Sequence, residues 1–209
     1  MSIVNLFVPE KILFENTKYN KNIHILRYLN STSLTVDGLI ESGDVMTQVW
    51  RKAIRSLLPR KFQPQKVLLL GLAGGCNAHL INRYFPKCQI TAVEIDPFMI
   101  ELGKRFFKLG KVKNLKIIIN DATEYIDKLT TKDVFDLIMV DCFVGQNIPK
   151  KLETVSFMKK LKSHSRFVFV NRLWWQREKT ITTNFFKSIS PYFFFIKTHT
   201  PSNVIISLI

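Results

Sequence analysis

Apolar positions along the chain follow two different rhythms. Up to about Gly43 they fall in short runs, Val4–Val8, Ile23–Tyr28 and Ser33–Val36, separated by Asn, Ser and Asp-Gly turns. These runs predict a small N-terminal β-hairpin region. Asp44 then opens a helical pattern through about Leu58, with Asp44 as its cap and Pro59 helping to end it. Lys61–Gln65 reads as a short linker. From Val67 on, continuous apolar runs alternate with amphipathic stretches. The pattern predicts strands at 67–70, 90–94, 115–119, 135–140 and 166–170. It predicts helices at 76–85, 97–108, 122–129, 150–162 and 176–187. Such alternation implies a parallel sheet with right-handed crossovers. The run Tyr192–Thr198, a Pro201-Ser-Asn turn and Val204–Ile209 predict a closing antiparallel pair. The expected fold is therefore α/β: a doubly wound, mostly parallel sheet with a C-terminal antiparallel hairpin. Residues 1–60 form the small β region plus helix, and residues 61–209 the main domain.

The most informative segment joins the first two strands. Val67-Leu-Leu-Leu-Gly71-Leu-Ala-Gly-Gly75 is an apolar run ending in a glycine-rich turn, and Val93-Glu94-Ile-Asp96 is a second run ending in an acid. Glycine lets the backbone turn sharply and lets a ligand approach it closely. The following helix presents free N–H groups and positive dipole charge. The acid falls roughly 20 residues after the first glycine, where a ribose-binding carboxylate sits in dinucleotide folds. The dinucleotide pattern G-x-G-x-x-G would fall on Gly71, Ala73 and Cys76 and fails twice. The tighter G-x-G-x-G spacing of adenosylmethionine enzymes falls on Gly71, Ala73 and Gly75 and fails once, by a methyl group. The segment thus predicts a nucleoside-cofactor site of the second kind, in a Rossmann-like methyltransferase sheet.

Composition narrows the classes. Hydrophobic residues make up 46% of 209 positions, enough for one buried sheet. No apolar run nears the ~20 residues of a membrane span. The start lacks signal-peptide character. Cys76, Cys88 and Cys142 are odd in number and have no C-x-x-C spacing, so they read as core thiols of a reducing compartment. The expected location is cytoplasmic. The formal charge of +15 comes from Lys and Arg spread along the chain in short clusters. This favours a solvated basic surface, with nucleic acid a less favoured partner and a homodimer left open. His24, His79, His164 and His199 are scattered and suggest no metal site.

In open α/β sheets ligands lie beyond the carboxyl ends of the strands. Glu94 ends the second predicted strand and can accept from both ribose hydroxyls. Asp96, before Pro97, is either a ligand or a helix cap. Asp121-Ala122 follows the third strand, where Asp121 can accept from the adenine amine and also cap a helix. Asp141 follows the fourth strand, where a carboxylate can orient an amine or take its proton. The candidates are thus Gly71, Ala73, Gly75, Glu94, Asp96, Asp121 and Ala122 for the cofactor, and Asp141 for catalysis. Tyr125, Asn147 and Trp174-Trp175 are weaker.

From Val67 to about Val170 these residues resemble the spermidine synthase-like (polyamine aminopropyltransferase-like) family. The carriers are the Gly71 loop, Val93–Asp96, Asn120-Asp121-Ala122 and Val140-Asp141-Cys-Phe-Val-Gly145. Ile148–Leu152, Phe157–Leu161 and Leu34–Glu41 add to them. The resemblance implies adenosylmethionine or its decarboxylated form as donor and a small-molecule amine as acceptor. Glu94 would hold the ribose, Asp121 the adenine, and Asp141 would act on the amine. It implies an aminopropyl or related alkyl transfer, with methyl transfer or a non-catalytic nucleoside-binding module as alternatives. Two family acids are replaced, by Gly74 in the glycine loop and by Val144 after the fourth strand, and Glu41 aligns with a family glutamine. An acid placed at position 74 is expected to face the carboxylate of adenosylmethionine.

Overall fold

The computed structural model describes residues 9–209. The Val4–Val8 run lies outside the described residues. Strand runs that never alternate signal burial on both faces, and the main sheet bears this out. It has seven strands: β5 (Lys66–Leu70), β6 (Gln89–Glu94), β7 (Leu115–Ile119), β8 (Phe135–Val140), β9 (Ser165–Leu173), β10 (Phe195–His199) and β11 (Asn203–Leu208). Their spatial order is β10-β11-β9-β8-β5-β6-β7. Strands β5 to β9 pair in parallel, while β11 runs antiparallel to both β9 and β10.

Successive residues of each strand serve different faces. Val67, Leu69, Leu137, Met139, Phe169 and Ile205 pack under α1 (Asp44–Leu57) and α2 (Cys76–Tyr84). Leu68, Leu70, Ile138, Val140, Val170 and Ile206 pack under α4 (Ala122–Asp127), α5 (Val155–His164) and α6 (Gln176–Ile189). The remaining helix, α3 (Pro97–Phe106), carries a second sheet. That sheet has four antiparallel strands, β1 (Glu10–Glu15), β2 (Ile23–Tyr28), β3 (Ser31–Val36) and β4 (Leu39–Ser42). Its Ile23, Ile25, Leu34 and Val36 close on Met99 and Leu102 of α3.

Several boundaries depart from expectation. The N-terminal region is a four-stranded sheet rather than a hairpin. Strand β1, with the sequence EKILFE, buries no residue fully and so lacks the alternation that marks a strand. Asp44 is the first residue of α1, not its cap. Gly43 occupies the cap, and Asp44 accepts from Ser31 Oγ instead. Helix α1 does stop before Pro59, with Leu58 extended as the residue before a proline should be. The expected 150–162 helix is broken. Lys150–Glu153 forms a 3-10 turn, and Thr154 starts α5 by accepting the Phe157 amide.

Candidate functional site

The parallel strands end at a cleft of about 690 Å³, roofed by the N-terminal sheet. Gly71, Ala73, Glu94, Asp121, Ala122 and Asp141 all line it, and so does Glu41 from β4. Gly75 and Asp96 do not.

The floor is the turn after β5. Gly71 has φ 85°, and its N–H donates to Val93 O at 2.9 Å. A Cβ there would lie 2.2 Å from the Asp141 carbonyl oxygen, so the β5 and β8 ends meet only because position 71 has no side chain. Ala73 also takes a left-handed conformation, φ 46°. Gly75, φ 90°, caps α2, and a Cβ on it would strike Leu109 Cδ1 at 2.4 Å. It shapes the turn from behind. Gly74 donates its amide to Ser42 Oγ at 2.9 Å, and a Cβ would meet Ser42 and Phe107 below 3.0 Å. An acid at position 74 would require the Ser42 and Phe107 side chains to shift.

Glu94 is buried at 8% exposure and held by backbone donors. Its Oε2 accepts from the Leu72 and Ala73 amides at 2.9 and 3.0 Å, and its Oε1 from the Asp96 amide at 3.0 Å. Burial pushes its pKa up, against the pull of these three bonds. A carboxylate offers about four acceptor positions, so sites remain for a ligand. Asp96 serves the structure. Its Oδ1 caps α3 through the Phe98 amide, and its Oδ2 accepts from Thr17 Oγ1 at 2.5 Å and Asn20 Nδ2 at 2.7 Å. It clamps the β1–β2 connection to α3; of the two roles expected for Asp96 the structure shows the helix cap, and the residue does not line the cleft.

Asp121 lines the far end. Its Oδ1 caps α4, and its Oδ2 receives Lys151 Nζ at 2.7 Å. Burial alone would raise its pKa, but the bonds from Lys151, Thr123 and Glu124 and the Lys151 charge hold it below the usual range.

Asp141 stands at the mouth of β8, fixed by side chains from three elements. Oδ2 accepts from Trp50 Nε1 of α1 at 2.9 Å and from Asn77 Nδ2 of α2 at 3.3 Å. Oδ1 accepts from Asn171 Nδ2 of β9 at 2.8 Å. Asn203 Nδ2 in turn donates to Asn171 Oδ1 at 3.0 Å. The residue is partly open to the cleft but its carboxyl lies deep, and burial raises its pKa against the three bonds. Glu41 is the acid that strand-end reasoning did not find, because β4 belongs to the other sheet. Among the described residues its carboxylate accepts no hydrogen bond. Burial first, then the charges of Asp141 and Glu94, push its pKa well above the ordinary value.

The weaker candidates lie elsewhere. Tyr125 and Trp174 pack against the α4–α6 core, with Trp174 stacked on Phe186. Asn147 closes a tight bridge with Val144. Among the described residues no group of three His, Cys, Asp or Glu is arranged to hold a metal, and no helix is long and apolar enough to cross a membrane.

Comparison with known proteins agrees with this geometry. A polyamine aminopropyltransferase of Vibrio vulnificus is 31% identical over 101 residues, 48% of this chain and 34% of that protein. The human eEF1A lysine and N-terminal methyltransferase is 33% identical over 110 residues, 48% of this chain and 16% of that protein. The match thus spans about a third of the first relative's length and about a sixth of the second's. A spermidine synthase crystallised with the transition-state analogue AdoDATO superposes with a TM-score of 0.74 at 16% identity, covering 95% of this chain and 71% of the other. The fold is shared with that enzyme. The family model of the spermine/spermidine synthase domain matches residues 54–208, and the chain belongs to that family.

Proposed function

We propose that this protein is a transferase that binds an adenosyl sulfonium donor in the cleft and passes its alkyl group, aminopropyl by family, to a small amine. The observation that carries this reading is the sign of the cleft. In a chain of net charge +15, Glu41, Glu94 and Asp141 converge on one cavity. Buried acids are costly without a counter-charge, so the cavity is built for a cation. The residues present fit such a donor. The Gly71–Ala73 turn lets a nucleoside approach the backbone, Glu94 keeps acceptor sites for a ribose, and Asp121 lies where an adenine amine could share its carboxylate with Lys151. The donor supplies an electrophilic carbon beside a thioether leaving group. A new N–C bond forms as the C–S bond breaks, and the amine must shed one proton. Asp141 lines the cleft with its carboxylate fixed by three donors, which supports its orienting the amine and accepting that proton.

Methyl transfer is the second reading. It is favoured by the human methyltransferase relative and by the closed space at Gly74, which leaves no acid in the glycine turn.

Calorimetry with adenosylmethionine, decarboxylated adenosylmethionine and methylthioadenosine tests the donor. Binding of at least one is expected, and binding of none overturns the reading. Turnover of the two donors with a set of small amines then separates aminopropyl from methyl transfer. Asp141→Asn should lower kcat by about 10²–10⁴-fold while leaving methylthioadenosine affinity near wild type.

A further inference from the structure

Four acids line the cleft; Asp121 is paired with Lys151, and the other three are not equivalent. Glu94 receives three backbone amides and Asp141 receives three side-chain donors. Hydrogen bonds to a carboxylate favour its charged form. Glu41 receives none from the described residues, yet it faces the same cavity. Three like charges around one low-dielectric space cannot all persist unneutralised. The proton that relieves them belongs on the acid with the fewest donors.

We propose that Glu41 is the charge-selecting acid of the cleft: it holds a proton while the cavity is free of ligand and releases it to solvent when an ammonium group seats against it. This rests on the reading of the cleft as a cationic-donor site. The groups facing Glu41 support the assignment. Asp141 at the end of β8 and Glu94 at the end of β6 are the acids whose charges act on it. Cys76, at the start of α2, offers only a thiol, raised by burial first. Cys142, after β8, is likewise raised well above its ordinary value by burial and by these acids. Tyr19 adds a phenol ring to the lining. Among the described residues the one cation of the lining, Lys151, is already engaged by Asp121 at 2.7 Å. None of the described lining cations is therefore free to neutralise Glu41, and an incoming ammonium would do so.

The consequence is a measurable proton count. Decarboxylated adenosylmethionine, with an ammonium and no carboxylate, should bind with release of roughly one proton. Below the pKa of Glu41 its Kd should rise by about tenfold for each pH unit of acidification. Methylthioadenosine has no amine and should bind without proton release. Calorimetry in two buffers of different ionisation enthalpy reads the count directly. In Glu41→Gln the release should vanish, affinity for the decarboxylated donor should fall by roughly ten- to a hundredfold, and methylthioadenosine should bind as before. A wild-type protein that releases no proton, or a Glu41→Gln variant that still does, overturns the proposal. Carbon-13 detection of glutamate carboxyls in the ligand-free protein gives a second measurement. One glutamate should titrate well above the ordinary range and be missing from Glu41→Gln. Absence of that signal overturns the proposal even where ligands bind. Failure of all three nucleosides to bind overturns the functional reading and the ligand-coupled step together, and the carboxyl titration still decides which acid carries the proton.

Discussion

Ala73 shows how a single residue departs from its motif and what that costs. Its φ of 46° is one that L residues adopt at a cost of roughly 1–2 kcal/mol and glycine adopts freely. Its amide is nonetheless placed on Glu94 Oε2 at 3.0 Å. Ala73→Gly relieves the strain and loosens the unfolded chain by about 0.4–1 kcal/mol. A net gain of up to about 1 kcal/mol is expected, raising Tm by about 2–4 °C, with donor affinity retained. A drop in Tm would mean that the Ala73 methyl is itself packed usefully, as its contact with the N-terminal-sheet core allows. At this scale the sequence carried position but not role. Glu94, Asp121 and Asp141 were readable because each follows a strand. Asp96 also ends an apolar run, but its two oxygens are taken by Phe98, Thr17 and Asn20. Thr17 and Asn20 come from nearly eighty positions away, and no local pattern announces them.

Among the elements, β9 and β11 together steady Asp141, the acid proposed to act on the amine. Asn203 of β11 fixes the amide of Asn171, which presents its Nδ2 to Asp141. Asn203→Leu leaves the Asn171 oxygen unpartnered, so the amide is no longer held in its donating orientation. Loss of a donor to the charged carboxylate raises the Asp141 pKa. The acid limb of the kcat/KM profile should therefore move to higher pH. Lower Tm with an unmoved profile would assign Asn203 a merely structural role. The runs forming β5–β9 could be read directly because both faces are buried, which makes them continuously apolar. The web around Asp141 could not. Trp50, Asn77 and Asn171 lie 91, 64 and 30 positions from it, and only the folded sheet brings them together. Glu41 was visible as a residue aligned with a glutamine, but its charged company appears only when β4 is laid over the main sheet.

For the whole molecule, charge changes sign with depth. The surface carries the excess that sets +15, while the cleft gathers acids. A cationic donor is repelled at long range and attracted only once inside. Surface repulsion is screened over a Debye length of about 8 Å at physiological salt. Raising ionic strength from about 10 to about 150 mM should therefore speed association of the decarboxylated donor, while methylthioadenosine stays nearly flat. Stopped-flow association rates check this. A rate that falls with salt would show that the acids of the cleft govern the approach. The order of the strands has a separate consequence, in time rather than in space. Strand β11 follows β10 in the chain yet lies between β10 and β9. It reaches its interior place only after every other strand has been made, and Asn203 arrives with it. Trp50, Asn77 and Asn171 all precede it, so in the order of synthesis the Asn203 contact that steadies Asn171 against Asp141 is the last support of that acid to become available.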